Sequence, residues 1–96
     1  MNELEKIKYH QNLLIHIATN KDPEKTVFFQ NVIIFDLSEN QAKNIIKIIM
    51  QGNLNDLIEY IKKESINYPV ESILEDCINQ DICVENSKQM KLKFEK

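Results

Sequence analysis

The stretch Pro23-Glu24-Lys25-Thr26-Val27-Phe28-Phe29-Gln30-Asn31-Val32-Ile33-Ile34-Phe35 decides the fold. From Val27 onward only Gln30 and Asn31 are polar, so the apolar residues run nearly all round a helical wheel. Such a run marks either a central helix or a buried strand, and periodicity alone does not separate the two. Val27, Phe28, Phe29, Val32 and Phe35 favour a strand by intrinsic preference. The start signal points the other way. Asp22 can cap a helix, and Pro23 suits its first position because the N–H that proline lacks is not needed there. With helical patterns on both sides, a helix is expected over Pro23 to Phe35. A strand here would overturn the architecture.

Working outward, the preceding segment reads as a helix from Asn2 or Glu3 to Ala18, with Glu3 and Glu5 at the end where the helix dipole favours acids. Leu4, Ile7, Leu14, Ile17 and Ala18 form its apolar stripe, Leu13 widens that face toward Tyr9, and Gln11 is an unexpected polar member. A buried Gln11 needs partners and would help to set helix pairing; exposure at the edge of the stripe is the simpler reading. On the other side, Ser38 and Gln41 make a capping box, with Leu37 and Ala42 in the staple positions. Ala42, Ile45, Ile46, Ile49 and Met50 follow as the stripe of a third helix, which Gly52 stops. Asn53 and Asp56 open a fourth helix carrying Leu54, Leu57, Ile58 and Ile61, ending near Glu64 or Ser65.

Tyr68-Pro69 marks the next joint, and Asn67 or Tyr68 is expected to cap a fifth helix holding Val70, Ile73, Leu74, Cys77 and Ile78. In the tail, Met90, Leu92 and Phe94 alternate with Lys91 and Lys93 as in a strand, while Met90 and Phe94 also span one helical turn. A short helix is expected there, with 88–96 fraying. The fold expected is all-α: one domain over 1–96, a small bundle of four to six short helices around a central hydrophobic helix.

Composition supports that class. Isoleucine, leucine and valine supply 27 of 96 residues, too many for a disordered chain, and there is one glycine. All twelve basic residues are lysines, so no guanidinium fork exists for bidentate contacts to guanine or phosphate. With a net charge of -3, this argues against nucleic acid as a partner. No apolar run is long enough to span a membrane, and Met1 to Lys8 is unlike a signal peptide, so a cytoplasmic protein is expected.

Chemistry-bearing residues are sparse. Cys77 and Cys83 match neither a zinc knuckle nor a redox pair and read as reduced thiols. His10 and His16 lie six apart on one helix and point to different sides, so they cannot chelate one metal together. One glycine cannot build a phosphate loop. No catalytic residue, cofactor or metal is expected.

Two surface features remain. Val27, Phe28, Phe29, Val32 and Phe35 crowd one helix; if four or five short neighbours cannot cover it, it meets another chain, and a homodimer is the expected assembly. Glu71, Glu75, Asp76, Asp81 and Glu85 form an acidic patch, followed by Lys88, Lys91, Lys93 and Lys96.

Leu4 to Leu14, Phe28-Phe29, Leu37-Ser38-Glu39-Asn40-Gln41 and the Tyr68-Pro69-Val70 joint resemble corresponding stretches of a small all-helical family of uncharacterised proteins from Gram-positive bacteria. This chain is the shorter between its third and final helices. The resemblance implies a helical bundle and carries over no catalytic residue. The function expected is a small interaction or regulatory protein without catalysis, such as a dimeric adaptor or inhibitor. The alternative is a DNA-binding or transcription-associated module built on the helix–break–helix from Ser38 to Glu64, which carries Lys43, Lys47, Lys62 and Lys63 but has no strongly basic exposed end on its second helix.

Overall fold

Helix follows helix along the whole described chain, from Glu3 to Glu95, in a computed structural model. Asn2, the alternative start of the first helix, and Lys96 lie outside the described residues. Six helices run α1 Glu3–Thr19, α2 Val27–Ile34, α3 Glu39–Gln51, α4 Leu54–Lys63, α5 Val70–Asn79 and α6 Val84–Phe94, with no strand among the described residues. The all-α bundle expected from the sequence is the one observed.

The deciding stretch is helical but not one helix. Pro23–Thr26 forms a single 3-10 turn, and α2 begins after it. Asp22 caps the turn by accepting a hydrogen bond from the Glu24 N–H at 3.1 Å, with Pro23 in the first turn as expected. Thr26 then swings out of helical geometry at φ −129°, which separates the two pieces. The start of α2 is capped from far along the chain: the Gln80 Oε1 accepts from the N–H groups of Phe28 and Phe29 at 2.9 and 3.3 Å. No local reading could have supplied that cap.

Around α2 a single hydrophobic cluster forms. Phe28 and Val32 are fully buried and meet Leu37, Ile45, Ile49, Leu57, Ile73, Leu74 and Met90 in the same core. Burying each such side chain contributes roughly 1.5–3 kcal/mol. Tyr68 is also fully enclosed: its ring stacks on Phe35 at 5.0 Å and tilts against Phe28 at 6.1 Å. Its hydroxyl donates to Asp76 Oδ2, which also accepts from Asn31 Nδ2 at 2.6 Å. Burial, reinforced by that carboxylate, pushes the Tyr68 phenol far above its usual range.

This corrects the expected cap of α5. Tyr68 belongs to the core, Pro69 occupies the cap position, and no side chain caps the helix there. The α3 capping box forms as expected, with Ser38 Oγ accepting from the Gln41 N–H at 3.1 Å and Gln41 Oε1 from the Ser38 N–H at 2.9 Å. Gly52 takes the left-handed conformation at φ 73° and stops α3, and Asn53 caps α4. With only one glycine available, other helix ends use residues that bear the left-handed strain. Asp36, Ser65 and Asp81 have φ of 56°, 53° and 61°. Each is followed by an apolar residue (Leu37, Ile66, Ile82) whose N–H bonds back across the helix end. The tail resolves as α6, with Met90 buried and Leu92 and Phe94 exposed.

Candidate functional site

α1 sits at the margin of the bundle, packed mainly on α2 and the 3-10 turn. One side is well fastened. Leu13 is buried, Ile17 and Tyr9 are half-buried, and the His10 Nε2–H donates to the Leu37 carbonyl at 2.7 Å. Lys6 reaches Asp36 at 2.8 Å, and His16 lies against the Phe29 ring at 6.1 Å. Burial, with Glu39 nearby, lifts the Tyr9 phenol to about 12.

The stripe expected to face the core faces solvent instead. Leu4, Ile7 and Leu14 are 59%, 45% and 52% exposed, Gln11 and Ala18 lie among them on the surface, and Ile15, not part of the expected stripe, joins them at 61%. Of the face read from the sequence, Leu13 turns inward as expected, with Ile17 and Tyr9 partly so. The physical reason is that two faces compete for α2. The face with Tyr9, His10, Leu13 and Ile17 brings apolar area together with a hydrogen bond and an ion pair; the other brings apolar area alone. Gln11 was the usable signal, since a polar side chain at the centre of a stripe has no partner inside this body.

The expected interaction surface on α2 is corrected accordingly. Phe28 and Val32 are inside the core, while Val27, Phe29 and Phe35 are half-buried, the last two against His16 and Tyr68. The neighbours cover this helix, because α5, α1 and the 3-10 turn all pack on it. Ile34 alone among its apolar residues stands well exposed.

The acidic patch is divided. Glu71, Glu75 and Glu85 are exposed, but Asp76 is held by Tyr68 and Asn31, and Asp81 pairs with Lys25 at 2.7 Å. A polar cleft of about 550 Å³ opens between the starts of α1 and α3 and the end of α4. Its side chains are largely bonded to one another or to near neighbours: Gln41 to Glu64, Asn44 to Tyr60, Lys6 to Asp36. Cys77 is buried, and burial, with Cys83 and Asp76 nearby, pushes its thiol up to about 12. Among the described residues no three His, Cys, Asp or Glu side chains gather as a metal site, and no helix is long and apolar enough to cross a membrane.

The exposed stripe of α1 is therefore the candidate site: a helix anchored along one side, with an apolar edge outward that only Gln11 interrupts. An arrangement of this kind has the chemistry to dock an apolar helix or groove. No family model, curated protein or solved structure matches the chain.

Proposed function

We propose that this chain is a small, non-catalytic interaction protein that works by docking the outer face of α1 on another protein chain. The observation that carries the reading is the outward stripe of Leu4, Ile7, Leu14 and Ile15 on a helix already held rigid by its other side. A partner meets a preformed helix, so little ordering entropy opposes binding. Self-association, which the sequence suggests through α2, is proposed through α1 instead.

Further support comes from what the reactive groups are doing. The Cys77 thiol is kept protonated by burial and His10 is committed to a backbone carbonyl, so neither is poised as a nucleophile or base. Two unpaired cysteines suit a reducing compartment, and we place the protein in the cytoplasm. The resemblance to the all-helical Gram-positive family agrees with a role without catalytic residues.

The test is cross-linked capture from cells of the source organism, comparing the native chain with Leu14→Lys. The variant keeps the fold because Leu14 is exposed, and it places a charge in the stripe. Partners held by the native chain and lost by the variant support the reading. Identical recoveries from both would sink it.

A further inference from the structure

The spacing of the exposed stripe is more specific than apolar exposure requires. Leu4, Ile7, Gln11, Leu14 and Ala18 advance by alternating steps of three and four, the a/d seam of a coiled coil. Leu4, Gln11 and Ala18 take the a positions, and Ile7 and Leu14 the d positions. Ile15 widens the seam at an e position. The residues fastened to the body, Lys6, Tyr9, His10, Leu13 and Ile17, occupy only c, f and g.

From these registers we infer that the occupant of the stripe is a second copy of this chain, with the two α1 helices side by side, parallel and in register. The inference rests on the reading of α1 as a docking face and adds the partner and its orientation. Three features of the helix select it. In a parallel pair a g residue meets the e residue five positions on in the partner, which sets Glu3 of each copy against Lys8 of the other. Both side chains are exposed, and two such pairs flank the Leu4 and Ile7 layers. An antiparallel pair sets e against e and g against g, which leaves Lys8 opposite apolar neighbours such as Ile15.

Second, Gln11 finds in its own copy the one partner that can satisfy it symmetrically, because an amide both donates and accepts. A polar residue at one a position fixes register at a cost in affinity. Third, at 100° per residue the centre of the seam lies roughly 125° from the packed face of α1. The two bodies are therefore carried away from each other and do not collide. The contact is a single helix pair roughly 25 Å long, so the dimer is of the small, exchangeable kind.

Sedimentation equilibrium of the full chain from micromolar to near-millimolar concentration reads the assembly. The native chain is expected to dimerise, Leu14→Lys to weaken the dimer at least about thirtyfold with an unchanged helical spectrum, and Gln11→Leu to tighten it. Leu92→Lys, which charges a different exposed apolar residue, is expected to leave it unchanged. Orientation is read by oxidative cross-linking in a Cys83→Ser background. Leu4→Cys and Ala18→Cys are each expected to cross-link like with like, and a mixture of the two to yield no mixed product. A dominant mixed product would overturn the parallel register. A native chain monomeric at every concentration would overturn self-pairing while leaving the α1 stripe open to another protein, which the capture experiment reads separately. A dimer indifferent to Leu14→Lys would overturn both.

Discussion

α1 and α2 are both rich in large aliphatic and aromatic residues, yet they meet the rest of the molecule in opposite ways. α2 is apolar nearly all round and is swallowed: Phe28 and Val32 are fully buried, and Gln80 from α5's end caps its first N–H groups. α1 is twice as long, buries only Leu13 completely, and leaves Leu4, Ile7, Leu14 and Ile15 in solvent. The more hydrophobic helix is thus the less available one. Apolar content by itself says that a helix needs cover; whether the chain can provide that cover depends on the helix's position among its neighbours.

The largest test of this contrast is truncation on the two helices. Phe28→Ala is expected to cost about 3–5 kcal/mol by cavity formation, while Leu14→Ala costs less than about 0.5 kcal/mol. Urea unfolding of both variants checks it, and comparable losses would erase the distinction between a covered and an open helix.

Alkaline titration probes the same divide through the buried groups. In the folded chain burial raises the Cys77 thiol from 9.0 to about 12 and the Tyr9 phenol from 10.0 to about 12. The folded state therefore holds these protons more tightly than the unfolded one. Their effect on stability is constant below pH 9.0, and stability falls as pH rises from there toward about 12. Denaturant midpoints measured along that range should fall in the native chain and in Leu14→Lys alike, with a shallower fall in Cys77→Val.

Tyr68→Phe comes next in size. It removes the hydroxyl that Asp76 accepts from but keeps the ring stacked on Phe35, so the expected loss is about 1–2 kcal/mol, read by thermal unfolding. Ser38→Ala, which breaks the capping box of α3, should cost about 1 kcal/mol and leave self-association untouched. The smallest effect on stability belongs to Leu14→Lys itself, within about 0.5 kcal/mol by the same measurement. A much larger loss would mean that the stripe is covered by the chain's own body.

Much of the fold was legible because its signals are local. Ser38 with Gln41, Gly52, and Asn53 before Asp56 each act over three or four residues and form as the spacing predicts. The joint at Tyr68-Pro69 was found but its cap was misread, because the pull of the core on the Tyr68 ring outweighs any local capping role. The break at Thr26 was invisible for a similar reason: Asp22 and Pro23 suit a 3-10 turn as well as an α-helix. The candidate surface was half-legible. Leu4, Ile7, Leu14 and Ala18 were recognised together, with Gln11 marked as out of place and Ile15 missed, but they face outward where the core was expected; Leu13 and Ile17, read on the same face, do turn inward.

The sequence by itself determined that this chain is helical, where most helices begin and end, and that Cys77 lies in a core. Those outcomes follow from dihedral preferences, caps and periodicity, which act within a turn or two of chain. Only the tertiary structure decided that α2 is covered on all but its Ile34 side and that α1 turns its Leu4-Ile7-Leu14 edge outward. That choice depends on which of two apolar faces gains more against α2, and contacts from Lys6 to Asp36 and from His10 to the Leu37 carbonyl tip it across about thirty residues of intervening chain.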